Sequence, residues 1–132
     1  MTSDVTTRRV CLDANILLEL LFKRVRYEAV VAALEAFTNA QFCMTVLSVD
    51  LVMYFVESEK QSKLAARQFL SNYEPLSLLA DDIEWAFDHD QGDYEDALQV
   101  ACARRHGCDL FITLDGKLAS MYSEFLPVQT IR

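Results

Sequence analysis

The sequence predicts an α/β fold, a three-layer α/β/α sandwich around a mostly parallel sheet. Three observations predict it. Short apolar, β-prone runs alternate along the chain with stretches of helical periodicity, the pattern of strand–helix–strand crossovers. The chain has 132 residues, 52% of them apolar and 24% charged, with only three glycines and two prolines, so one folded domain over residues 1–132 is expected and long linkers are not. Two of the apolar runs also stop abruptly on an aspartate, Val10-Cys11-Leu12-Asp13 and Phe111-Ile112-Thr113-Leu114-Asp115.

Taken in order, Arg8 to Leu12 reads as the first strand, and Ala14 to Phe22 as a helix with Ile16, Leu17, Leu20 and Leu21 at helical spacing. Tyr27 to Phe37 follows as a second helix. Phe42 to Leu47 is expected to be a strand, with Ser48 capping a helix to about Glu59. Ser62 to Tyr73 reads as a helix stopped by Glu74-Pro75, since the residue before proline avoids helical geometry. A strand is expected over Leu76 to Leu79, then a helix over Ile83 to Asp88 capped by Asp81 or Asp82. Asp93 to His106 is the clearest helix, stopped by Gly107. Leu110 to Thr113 is a buried strand, and a short helix near Lys117 to Tyr122 and a strand near Pro127 to Ile131 complete the chain.

No stretch approaches the roughly 20 apolar residues a membrane span requires. The polar start, Met1 to Arg9, lacks the apolar core of a secretory signal, so a cytoplasmic protein is expected. Cys11, Cys43, Cys102 and Cys108 match no zinc-ligand spacing and sit in or beside apolar runs; they read as reduced, buried thiols without chemistry. The net charge of −8 argues against a phosphate-backbone binder. Against that, acids gathered round a metal add to the negative count while bound cations neutralise them. Basic residues are also grouped, in Lys23-Arg24-Arg26 and Arg104-Arg105-His106, which read equally as solvated helix ends.

Ligands of open parallel sheets sit beyond the carboxyl ends of the strands, which is where Asp13 and Asp115 are expected. The strong helix opens with Asp93-Tyr94-Glu95-Asp96, with Asp93 and Asp96 on its first turn. Should that turn open at the same edge, three or four carboxylates converge. Without a cation they would raise one another's pKa values, and hard Mg²⁺ or Mn²⁺ suits such oxygen donors. His89 and His106 read as exposed helix-end residues, and no Ser-His or Cys-His arrangement competes.

Leu12-Asp13-Ala14-Asn15-Ile16-Leu17-Leu18 resembles the opening aspartate motif of the PIN domain family, in particular its small bacterial VapC-like members. Asp93-Tyr94-Glu95-Asp96-Ala97-Leu98-Gln99, continuing to Gly107-Cys108-Asp109-Leu110-Phe111-Ile112-Thr113-Leu114-Asp115, resembles its later motifs in tandem. The resemblance implies a PIN-like sheet and a metal-dependent nuclease, commonly a ribonuclease, often the toxin of a toxin–antitoxin pair. It implies Asp13, Asp96 and Asp115 as catalytic metal ligands and Asp93 as an accessory catalytic acid at the rim. Asn15 and Thr113 would support the site by hydrogen bonding.

The family's glutamate about three residues into the helix after the second strand has no counterpart. Counted from Ser48, that place holds Leu51, and Asp50 beside it points about 100° away. Either Asp50 supports the site through a shifted helix start, or a ligand is lost. The second outcome gives the alternative reading, a degenerate PIN domain that binds RNA or a protein without cutting. The apolar runs Leu17 to Phe22 and Val52 to Val56 point to a subunit contact or to a generously packed core. The resemblance implies an RNA substrate, a homodimer and an antitoxin partner.

Overall fold

A computed structural model describes residues 7–132; the polar start read as lacking a secretory signal lies mostly outside them. Five strands form one sheet in the order β3-β2-β1-β4-β5, and all four pairings are parallel. The strands are β1 (Arg8–Leu12), β2 (Ala40–Thr45), β3 (Glu74–Leu76), β4 (Leu110–Thr113) and β5 (Val128–Thr130). The helices are α1 (Ala14–Phe22), α2 (Tyr27–Glu35), α3 (Val46–Ser58), α4 (Lys63–Leu70), α5 (Ala80–His89), α6 (Tyr94–Arg105) and α7 (Gly116–Tyr122). The expected "mostly parallel" sheet is parallel in every described pairing.

The period-2 alternation of the strands divides the core in two. On β1 and β4, Val10, Leu12, Leu110 and Ile112 face one way and pack with Ile16 and Leu17 of α1, Val30 of α2, Val52 and Val56 of α3, and Ala66 and Leu70 of α4. Cys11 and Phe111 face the other way and meet Ala86 of α5, Ala97, Val100 and Ala103 of α6, and Leu118 and Tyr122 of α7. Helices α1–α4 thus cover one face and α5–α7 the other. The apolar runs of α1 and α3 are largely used up in this packing, and on them only Val46 and Tyr54 stand exposed among the large apolar side chains. All four cysteines are free and buried, as their surroundings implied.

Three boundaries differ from expectation. The second strand ends at Thr45 rather than Leu47, because the Thr45 hydroxyl accepts from the Ser48 amide (3.1 Å) and caps α3 three residues earlier than Ser48 would. The third strand is Glu74–Leu76, through Pro75. It lies at the edge of the sheet, where a residue without an N–H costs no ladder bond. Helix α5 begins at Ala80, with Asp82 reaching back from the first turn to the Leu79 amide (2.9 Å) instead of capping from outside. His89 and His106 are half-buried, not exposed, and bond to the carbonyls of Trp85 (2.8 Å) and Ser77 (2.9 Å).

Candidate metal centre

The strand order reverses direction between β1 and β4, since the chain builds outward from β1 to β3 on one side and resumes at β4 on the other. In an open parallel sheet such a switch point leaves a crevice beyond the carboxyl ends of the two strands. Asp13 follows β1 there, Thr113 ends β4, and Asp115 lies two residues beyond it.

Asp13 is 8% exposed. Its Oδ2 accepts from the Thr113 hydroxyl (2.7 Å) and the Asn15 amide (3.3 Å), and its Oδ1 from the Gln99 amide (3.4 Å). Thr113 is the centre of this arrangement, because its Oγ1 also accepts from Asn15 Nδ2 (3.2 Å) and from the Asp115 amide (3.0 Å). Asn15 in turn accepts from the Leu114 amide through Oδ1 (3.2 Å). These bonds tie the first turn of α1 to the end of β4 across the switch point and leave the Asp13 carboxylate one orientation. Burial pushes its pKa up; the Thr113 hydroxyl and the Ala14 amide oppose that shift, while Asp115 and Glu95 add to it.

Helix α6 brings the second group. Asp93 is its N-cap and accepts from the Asp96 amide (3.2 Å), so the first turn carries Asp93, Glu95 and Asp96 together. Asp96 is half-buried, and its pKa is raised to about 7 by that burial and then by the repulsion of Asp93, Asp13, Asp115 and Glu95. Among the described residues, no ion pair involves any of these five acids. Asp115 caps α7 by accepting from the Lys117 amide (2.9 Å).

Asp13, Asp93, Asp96 and Asp115 therefore lie at one edge, and Asn15 and Thr113 are hydrogen-bonded to Asp13 and to each other. Asp50 does not join them. It lies on the exposed side of α3, without a side-chain hydrogen bond or ion pair among the described residues. The earlier start of α3 makes Ser48, not Leu51, its third residue. Ser48 is buried, and Leu51 lies one turn further on, half-buried, so neither position on that stretch supplies an acid.

The sequence reading missed Gln99, which is 2% exposed. Its Oε1 accepts from Thr45 Oγ1 (2.7 Å) and Ser48 Oγ (3.0 Å), while its amide donates to Asp13. A neutral chain of Thr45, Ser48 and Gln99 thereby links α3 to Asp13. A signal was present: Gln99 lies three residues after Asp96, on the same side of α6, among otherwise apolar neighbours. Glu95 was missed as a contributor of charge for want of any spacing that marks it.

Among the described residues, no group of three or more His, Cys, Asp or Glu side chains closes into a metal cage. The donor chemistry nevertheless fits a hard divalent ion. Mg²⁺ binds through one or two carboxylates and keeps several of its waters, and the unrelieved repulsion at Asp96 is what such a charge would offset. Asp13 and Asp96 are the two acids whose burial and mutual repulsion suit direct contact, with Asp115 beside them.

Solved structures share the arrangement of most of the chain. A toxin–antitoxin complex from Klebsiella pneumoniae aligns with TM-score 0.74 and 24% identity, covering 92% of this chain and 96% of that one. VapBC2 from Rickettsia felis, bound to a DNA fragment from its promoter, aligns with TM-score 0.76 and 15% identity over 94% and 99%. A sarcin–ricin-loop-cleaving toxin from Mycobacterium tuberculosis aligns with TM-score 0.69 and 17% identity over 91% and 98%. At these identities the likeness is one of fold. Among curated proteins nothing matches the sequence. The family profile described as the PIN domain matches residues 10–124, from within β1 to just past α7, and the chain belongs to the PIN domain family.

Proposed function

We propose that this PIN domain, residues 1–132, is a metal-dependent endoribonuclease that hydrolyses phosphodiester bonds and is the toxin of a toxin–antitoxin pair. The observation that carries the reading is the gathering of Asp13, Asp93, Glu95, Asp96 and Asp115 at one edge, where the buried Asp13 is bonded only to the neutral Thr113, Asn15 and Gln99 and no ion pair to any of the acids is formed among the described residues; burial and this repulsion push the Asp96 carboxyl up to about 7. Repulsion of this size is costly in a fold that gains nothing from it, and it is the charge pattern of a cation site. Asp13, Asp96 and Asp115 would hold Mg²⁺ or Mn²⁺, with Asp93 at the rim. The ion, when bound, lowers the pKa of a coordinated water and offsets charge on the scissile phosphate. Thr113, Asn15 and Gln99 fix the Asp13 carboxylate before any ligand arrives, so little reorganisation is needed on binding.

The toxin role is supported by the fold shared with toxin–antitoxin proteins, one of which cleaves the sarcin–ricin loop. It carries with it a homodimer, an antitoxin partner and a cytoplasmic setting. Among the described residues no helix is long and apolar enough to cross a membrane. A second reading is favoured by Ser48 and Leu51: without an acid from α3, the domain binds RNA or a protein partner and does not cut.

Calorimetric titration of Mn²⁺ into the wild type and Asp96→Asn, paired with cleavage of a single-stranded RNA, separates the two. Heat of binding and cleavage that both vanish in the variant support the nuclease. Wild type that takes up no Mn²⁺ at millimolar concentration and leaves RNA intact establishes the non-cutting reading.

A further inference from the structure

The two oxygens of Asp13 have different partners, and Gln99 limits what the second can hold. Oδ2 already accepts two hydrogen bonds, from Thr113 Oγ1 at 2.7 Å and Asn15 Nδ2 at 3.3 Å. Oδ1 accepts from the Gln99 amide at 3.4 Å, the longest of the three. Gln99 is 2% exposed and is held by its own oxygen, which takes the Thr45 hydroxyl at 2.7 Å and the Ser48 hydroxyl at 3.0 Å. Each hydroxyl has one proton to give, and both are spent on Oε1. Turning the amide over would set its oxygen against the carboxylate, so with Asp13 ionised a nitrogen has to face Oδ1.

An ionised carboxylate has about four lone-pair sites. At Asp13 three are committed to neutral donors, and the Ala14 amide also favours the charge. What is left, on Oδ1, accommodates one cation and not a pair. The surroundings repeat the limit. Helix α3 has no acid in its first turn and reaches Asp13 through the Thr45 and Ser48 hydroxyls and Gln99. Of the other acids, Asp93 and Asp115 each spend one oxygen capping a helix, and Asp93 and Glu95 are exposed. Paired catalytic ions stand about 3.5–4 Å apart, close enough to share a carboxylate. The most buried carboxylate here has a neutral amide at that place.

We propose that Gln99 is a positioning residue that makes this a one-ion centre: its amide pins Asp13 Oδ1 and stands where a second ion would need an acid. The inference rests on the metal-dependent reading above. It gives the buried amide of α6 and the two hydroxyls at the start of α3 a shared purpose, which is to orient Asp13 without adding charge.

The test counts Mn²⁺ bound per chain by calorimetry and recognises paired ions by spin coupling in electron paramagnetic resonance. The wild type is expected to take up one ion, with an uncoupled spectrum. Gln99→Glu keeps the shape, still accepts both hydroxyls and sets a second carboxylate beside Asp13; it is expected to take up two ions, spin-coupled. Ser48→Ala removes one donor from Gln99 and spares the α3 cap, which is the Thr45 hydroxyl. Its Mn²⁺ affinity is expected to fall about tenfold with the count still one. Two ions in the wild type would overturn the inference and leave the nuclease reading standing. So would a count of one in Gln99→Glu with a wild-type circular dichroism spectrum. Should Gln99→Glu not fold, an unchanged affinity in Ser48→Ala would overturn it instead. One ion bound without cleavage of RNA keeps the inference and removes the nuclease. No uptake at millimolar Mn²⁺ overturns both.

Discussion

Asp82 and Asp13 are equally withdrawn from water, 2% and 8% exposed, yet their carboxyls are pushed in opposite directions. Burial raises both. At Asp82 it is outweighed by a two-pronged bond from Arg105, Nε to Oδ1 at 2.8 Å and a terminal nitrogen to Oδ2 at 2.9 Å, and by the Leu79 amide. At Asp13 the hydrogen bonds come from neutral groups, and the nearby charges are those of other acids. The first pair staples the start of α5 to the end of α6 and leaves no charge over. The second region gathers five acids with no cationic partner among the described residues. Identical side chains of similarly low exposure thus separate into a structural ion pair and a cluster of like charges, and the protein supplies the opposite charge to the first and not to the second.

The comparison breaks most visibly at the paired end. Arg105→Ala would strand a buried carboxylate, so a loss of roughly 3 kcal/mol is expected in urea unfolding at pH 7. A change below 0.5 kcal/mol, the ~0.5 kcal/mol scale of ordinary surface substitutions, would show that Asp82 is not held by its partner. At the unpaired end the sign reverses. Asp96→Asn removes repulsion and is expected to stabilise the metal-free protein by about 1 kcal/mol at neutral pH, a figure discounted for water at a half-buried site.

The same asymmetry sets the pH dependence. A carboxyl whose folded pKa is about 7, against an ordinary value of 3.8, binds protons more tightly in the folded state. Its contribution therefore lowers stability progressively as pH rises from about 4 to about 7. Asp82, with its pKa lowered, contributes stability that is present above 3.8 and lost as pH falls below it. Thermal melts across this range should show the wild type losing stability relative to Asp96→Asn towards pH 7, and saturating Mn²⁺ should erase the difference. Parallel curves would refute the assignment. Thr113→Val is expected to destabilise by about 1 kcal/mol, comparable in size to Asp96→Asn and opposite in sign, for the lost 2.7 Å bond to Asp13. It should be accompanied by weaker Mn²⁺ binding, since the carboxylate loses its fixed orientation.

Much of this arrangement could be read from the chain because strong local signals agree with one another there. Val10 to Asp13 and Leu110 to Asp115 pair a fully apolar run with an acid at its end, and the structure puts both at the switch point. The β2–α3 junction was misread because Thr45 and Ser48 are both competent caps and Val46-Leu47 between them favours a strand; the bond to Gln99, 54 residues away, goes with the earlier start. Asp50 was usable only through a shifted helix start; the start does shift, but by three residues to a Thr45 cap, and that leaves Asp50 on the exposed side. Gln99 escaped attention because a polar residue inside a helix shows its purpose only once its tertiary partners are known.

The pairing of β1 with β4 has a further consequence, one of timing. Asp13 and Thr113 are 100 residues apart, and it is β4 that lies beside β1 on this side of the sheet. A ribosome adding roughly 5–20 residues per second makes the first acid several seconds before the strand that fixes it. Until Asp115 has emerged, the growing chain has Asp13 without its hydroxyl anchor. Until both segments have been made, the edge of the sheet that carries these acids is incomplete.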